Sequence, residues 1–111
     1  MNDKILAIIS TSEPGKARTG LLYAFNALKL GWMKDVKLIF FGPAEKLLIH
    51  DMELQKLVAD YQSLNQNAIA CKFVADRDNT SQQLADLGVK VQFVGEMISG
   101  LIKDGYVPMI W

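Results

Sequence analysis

Val36-Lys37-Leu38-Ile39-Phe40-Phe41-Gly42-Pro43 is the stretch on which the fold turns. From Val36 to Phe41 it is apolar but for one lysine, and Gly42-Pro43 closes it. That is the pattern of a strand covered on both faces, not of one with a wet side. Upstream, Ile5 to Ile9 is a second run of the same kind. Between the two, Leu21, Phe25, Leu28 and Trp32 recur at helical spacing, and Gly31 stands near the end of that helix. Downstream, Pro43 suits a first helical turn, and Leu54, Leu57, Val58 and Tyr61 make one face of a helical region. Ala68 to Val74 predicts a third strand that runs into a loop ending at Asp78. Asn79 or Thr80 then caps a helix carrying Leu84 and Leu87, which stops at Gly88. Val89, Val91 and Phe93 alternate with Lys90 and Gln92 as a fourth strand. Met97, Ile98, Leu101 and Ile102 form a last amphipathic helix ended by Gly105, and Tyr106 to Trp111 supplies the fifth strand.

Strands alternating with helices over short links predict a parallel sheet, because parallel neighbours need crossover connections. The expected architecture is a three-layer α/β/α sandwich around a five-stranded parallel sheet. Strands one and two read as central. Strand four alternates and strand five contains Pro108, both traits of an edge. The order 4-3-2-1-5 satisfies all four. The flavodoxin order 2-1-3-4-5 ranks second, since it leaves Val36 to Phe41 on an edge as a pairing hazard. At 111 residues the chain makes one domain, 1-111, able to bury about two thirds of the surface that its unfolded form exposes.

Twelve basic side chains balance twelve acidic ones, so neither a nucleic-acid face nor a polybasic membrane helix is expected. Ile5 to Ile9 is too short for a signal-peptide core or a spanning helix, and a cytoplasmic location follows as an expectation. One cysteine provides no disulfide framework, and one histidine, His50, provides no zinc quartet with it. No metal and no cofactor are expected.

In such sheets function gathers at the carboxyl ends of the strands. The first loop there, Ser10-Thr11-Ser12-Glu13-Pro14-Gly15-Lys16, is rich in hydroxyls, and Ser12 with the loop amides is a candidate anion support. The loop lacks both the P-loop lysine-hydroxyl pair and Gly-x-Gly-x-x-Gly, so a capped turn is the plainer account and a flavin or nucleotide site is a distant one. Asp76 stands without the acidic pair that a response regulator needs. The third loop brings together Cys71, Lys72, Arg77 and the start of a helix. A free thiol has a pKa of ~8.5, and cations with a helix dipole lower it to about 7 or below. Ile69, Phe73 and Val74 surround Cys71 with apolar bulk, which makes an inert core thiol the plainer account. His50 beside Asp51 is either a general base or a boundary histidine next to a helix cap, the simpler account. Met97, Met109 and Trp111 read as core or subunit contact. Trp111, apolar and on an edge strand, is the interface candidate.

Phe40-Phe41-Gly42-Pro43-Ala44 with Lys46-Leu47-Leu48, Ala70-Cys71-Lys72, Leu87-Gly88-Val89-Lys90-Val91 and Lys103-Asp104-Gly105-Tyr106 follow one another in an order that resembles the DsrE/DsrF-like family across nearly the whole chain. The resemblance implies the same sandwich and strand order, and a homo-oligomer, either trimer or hexamer. It also implies a cysteine after strand three that carries persulfide sulfur in the sulfur-relay members. On it, Cys71 is expected to accept sulfur from a donor protein and pass it to an acceptor protein, in sulfurtransferase-like chemistry without a cofactor. Lys72 and Arg77 would favour the anion, and Gly42 and Pro43 would shape the approach. Phe73 stands after the cysteine where many relatives have a small or polar residue, and the second cysteine of some members is missing. The alternative expectation is a non-catalytic oligomeric binding or scaffolding subunit, whose carboxyl-edge cleft holds a small anion or a partner.

Overall fold

A computed structural model describes residues 2–111, and in it the chain forms a five-stranded parallel sheet in the order β4-β3-β2-β1-β5 with helices on both faces. Strand β1 (Lys4–Ile9) and strand β2 (Asp35–Phe40) lie side by side in the middle, Ile5 opposite Val36 and Ile9 opposite Phe40. Their apolar content is spent on both faces. Ile5, Ala7, Ile9, Val36, Leu38 and Phe40 join the larger core, and Leu6, Ile8 and Ile39 join a smaller one on the other face. This division is the period-two geometry of a strand acting on a run with almost no polar residue in it.

The larger core is covered by α1 (Pro14–Lys29) and α3 (Met52–Gln62). Glu13 caps α1, accepting the Gly15 and Lys16 N–H groups at 2.9 and 2.6 Å, with Pro14 pre-set for the first turn. The buried face of α1 is Ala17, Gly20, Leu21, Ala24 and Ala27. This corrects the expected face: Phe25 and Leu28 are only partly buried, and Trp32 lies beyond the helix end with 58% of its surface exposed. The helix approaches the sheet closely, so alanines and a glycine fill the contact and the larger side chains border it. In α3 the expected face is present, with Leu54, Val58 and Tyr61 buried, and the Tyr61 hydroxyl donates to the Val36 carbonyl at 2.6 Å.

Strand β3 (Ile69–Cys71) is shorter than expected and leads at once into α4 (Lys72–Asp78). Phe73 and Val74 are therefore helical, not strand, and the expected loop from Cys71 to Asp78 is a helix. Two apolar β-formers extend the run in sequence, but Phe73 is 64% exposed on the helix, while Val74 joins the smaller core and Ala75 the larger. Asn79, with φ of 57°, ends α4 in the left-handed conformation, and Thr80 starts α5 (Ser81–Asp86) without a side-chain capping bond. Edge strands β4 (Lys90–Gln92) and β5 (Val107–Ile110) flank the sheet. Between them runs α6 (Gly95–Lys103), whose Met97, Ile98 and Leu101 pack on the smaller core. A five-residue helix, α2 (Ala44–Leu48), bridges β2 and α3. Among the described residues no helix is long and apolar enough to cross a membrane.

Candidate functional site

Cys71 is the last residue of β3 and the residue that opens α4, with extended backbone angles and no capping bond from its thiol. It is 5% exposed and belongs to the smaller core beside Ile69, Val74 and Val94. The carboxyl edge of the sheet therefore holds the thiol under side chains, not in an open loop.

In the turn after the neighbouring strand β2, Gly42 has φ of 108°, a value that favours glycine, and a Cβ there would meet Ser10 Oγ at 3.1 Å. This turn drops Pro43 at the start of α2 and brings Glu45 beneath it. Glu45 is wholly buried. One carboxyl oxygen, Oε2, accepts the Gly42 N–H at 3.3 Å, while Oε1 has no hydrogen-bond partner. The carboxyl also feels the Cys71 backbone N–H. Burial pushes the Glu45 pKa up to about 7; the Gly42 and Cys71 amides oppose this, Asp78 adds to it, and Arg77 works against it. A carboxyl held near neutrality against the backbone of the only cysteine is the principal chemical feature of this edge.

The predicted supports divide into two groups. Arg77 pairs with Asp78, Nε to Oδ1 at 3.1 Å, and its charge still reaches both Glu45 and Cys71. Lys72 turns away: its ammonium binds Asp76 at 2.6 Å and sits 5.8 Å from the centre of the Phe93 ring. Ser12, Pro43 and Arg77 come together with Lys46, His50 and Asp78 around one groove of about 360 Å³ at this edge. Neither Cys71 nor Gly42 lines that groove. His50 sits between α2 and α3, and Asp51 caps α3 through the Leu54 N–H at 2.8 Å. Arg18 also holds Asp51, with Nη2 to Oδ2 at 2.6 Å. Asp51 is thus committed to structure. Trp111 folds onto its own chain against α1, with its backbone N–H bonded to the Ile8 carbonyl at 2.9 Å.

Glu45 is the residue that sequence reasoning missed. Its signal was available, because Gly42-Pro43-Ala44-Glu45 has the spacing of a capping box, in which the third helical residue reaches back to the cap N–H. That pattern marks a helix start and carries no information on burial. Nor does residue order announce that Phe73 and Phe93, 64% and 66% exposed, stand together with Phe41 at the carboxyl ends of adjacent strands.

No family model matches the chain, and a comparison with curated proteins finds no match. Among solved structures, it is similar to a conserved protein of unknown function from Bacteroides thetaiotaomicron. The TM-score is 0.86 and the identity 22%, over 99% of this chain and 96% of that one. At that identity the likeness establishes the α/β fold alone.

Proposed function

We propose that this chain is a sulfur carrier of the DsrE/DsrF-like kind, with Cys71 as the sulfur-bearing group. One observation carries this: the single thiol closes β3 at the carboxyl edge of the sheet, where the Arg77 charge bears on it. The thiolate attacks the terminal sulfur of a donor persulfide, keeps that sulfur, and later yields it to an acceptor thiolate. Gly42 and Pro43 border the approach from β2, Ser12 and Arg77 line the adjacent groove, and Lys72 has no part because Asp76 holds it. This chemistry needs a reducing compartment, which supports a cytoplasmic setting. Assembly as a trimer or hexamer belongs to the same proposal. Incubation with a cysteine desulfurase and cysteine tests it by intact mass. The chain should gain the mass of sulfur, lose it to a reductant, and never gain it as Cys71→Ser; a wild-type mass that stays unchanged removes the carrier function.

The alternative, a non-catalytic binding or scaffolding subunit, is favoured by two observations taken together. Cys71 is almost covered, while Phe41, Phe73 and Phe93 present apolar surface at the carboxyl ends of β2, β3 and β4. A folded-state alkylation rate far below the denatured rate, combined with no sulfur gain, supports that alternative.

A further inference from the structure

Lys37 is the one charged residue in the run Val36 to Phe41, and sulfur transfer makes no use of it. In the register it stands opposite Leu6, so it projects from the face that carries the smaller core. Its side chain is 35% exposed although β2 lies in the middle of the sheet. A charge in that position calls for a reason, because the central strands of a parallel sheet are ordinarily covered on both faces.

Topology supplies the opening. From β1 to β4 the chain steps one way across the sheet, and right-handed crossovers put α1, α3 and α5 on one face. The return from β4 to β5 places α6 on the other face, where it lies against β1. Beside α6 a groove of about 250 Å³ opens over β2, β3 and β4. Ile69, Met97 and Leu101 give it an apolar side, and the turn at Gln66 and Asn67 borders it. Lys37, Lys90 and Gln92 line its sheet face, the last two opposite Ile69 and Cys71 in the register.

The polar groups here are unequally answered. Lys37 Nζ is 3.2 Å from Asp35 Oδ2 and donates to Gln66 Oε1 at 3.3 Å, while Gln66 Nε2 donates to Asp35 Oδ1 at 3.2 Å. The Tyr106 hydroxyl donates to the same carboxylate. Lys37 and Asp35 cancel in charge. Lys90, by contrast, enters no ion pair among the described residues. The Gln92 carboxamide reaches no better partner than the Met97 sulfur, at 3.5 Å. No carboxylate lines the groove among the described residues, so its lining carries an ammonium in excess.

From this arrangement we infer that the groove beside α6 is a binding site for a small organic carboxylate. The Lys90 ammonium holds the carboxylate, the Gln92 carboxamide donates beside it, and the apolar body lies against Ile69, Met97 and Leu101. Size and charge select this class. A partner helix needs a trough about 10 Å wide, more than this groove offers, and one unanswered ammonium matches a monoanion. A lysine on an edge strand also deters strand pairing. That accounts for Lys90 but not for the lysine of β2, fixed in place by Asp35 and Gln66. The site stands apart from sulfur transfer, since Cys71 does not line it.

The test is a ¹H–¹⁵N NMR titration of the folded chain with sodium benzoate and with benzamide, its neutral counterpart. Benzoate should shift the Ile69, Lys90, Gln92 and Leu101 amides together and saturably, with a Kd on the order of 1 mM for so small a molecule. Benzamide should bind at the same place about fivefold more weakly. Lys90 is exposed, so Lys90→Gln should fold normally, bring benzoate down to the benzamide level and leave benzamide unchanged. Cys71→Ser should bind benzoate as the wild type does, which separates this site from the carrier function. Benzoate and benzamide binding equally, or benzoate indifferent to Lys90→Gln, overturns the assignment. So do absent shifts, shifts scattered over the surface, or shifts centred on Ser12, His50 and Arg77 in the other groove; Lys90 is then an edge charge and nothing more.

Discussion

Trp111 lies so close over Gly20 that a Cβ at residue 20 would come within 2.5 Å of the indole Cδ2. The last residue of the chain is thereby packed on the first helix. Its carbonyl accepts the Ser10 and Thr11 N–H groups at 2.6 and 3.1 Å, and Tyr23 stands 6.1 Å away, ring centre to ring centre. The indole and these bonds fasten the β1–α1 loop to the end of β5, so edge strand and functional loop are tied together. Cover for Trp111 comes from α1 of its own chain, which meets the cost of exposure that made it an interface candidate.

Gly20→Ala should therefore destabilise the fold although alanine is the better helix former. Helix propensity favours alanine by about 1 kcal/mol, whereas overpacking against a rigid indole costs about 1–3 kcal/mol. Ile9 Cδ1, at 2.9 Å from the same Cβ position, blocks the other direction of relief. A net loss of roughly 1 kcal/mol is expected in urea unfolding, with a red shift in tryptophan emission as Trp111 is displaced. An unchanged midpoint and emission maximum would show that the indole moves aside freely.

Asp51→Ala should cost about 1–3 kcal/mol, since it removes the α3 cap and leaves Arg18 without its main partner. Asp51→Asn should recover part of this by keeping an acceptor for the Leu54 N–H. Arg18, through its hydrogen bond, and the Leu54 amide hold the Asp51 carboxyl below its usual range. Its folded-state value is thus lower than its unfolded one. The stabilisation is present above the unfolded value of about 3.9 and is lost as pH falls through the folded value. The difference in urea midpoint between wild type and Asp51→Asn should shrink in acid below about pH 4; a constant difference would contradict the ion pair.

Glu45 gives the opposite sign. Burial raises its folded value to about 7, so between about pH 4.3 and 7 the folded chain binds more protons than the unfolded one. Stability should fall as pH rises across that window, by on the order of 2–3 kcal/mol, because the core must then hold an incompletely answered charge. Glu45→Gln should lack this limb and gain on the wild type toward about pH 8. Parallel pH profiles for the two chains would mean that the carboxyl is ionised at ordinary pH.

The central strands were legible because they are long apolar runs, and Ile5–Ile9 and Val36–Phe40 need no tertiary information to be recognised as covered on both sides. Pro108 and the alternation around Val91 likewise announced the edges, which fixed the order observed. The end of β3 was not legible. Phe73 and Val74 suit a strand by type, and their place in the first turn of α4 has no local signal. The α1 face misled for a related reason: large apolar residues look like the contact, but the close approach of helix and sheet selected Ala17, Gly20, Ala24 and Ala27.

What residue order alone determined is the alternation of strands and helices and the presence of one thiol at the carboxyl edge, since hydrophobic period and composition are local properties. The company of that thiol was decided only in three dimensions. Glu45 is twenty-six positions from Cys71 in the chain, and Gly42, in a conformation suited to glycine, turns α2 back over the ends of β2 and β3. A carboxylate is ordinary in sequence and becomes chemically distinctive when folding removes its water, because the charged form loses solvation that the nearby backbone amides do not replace.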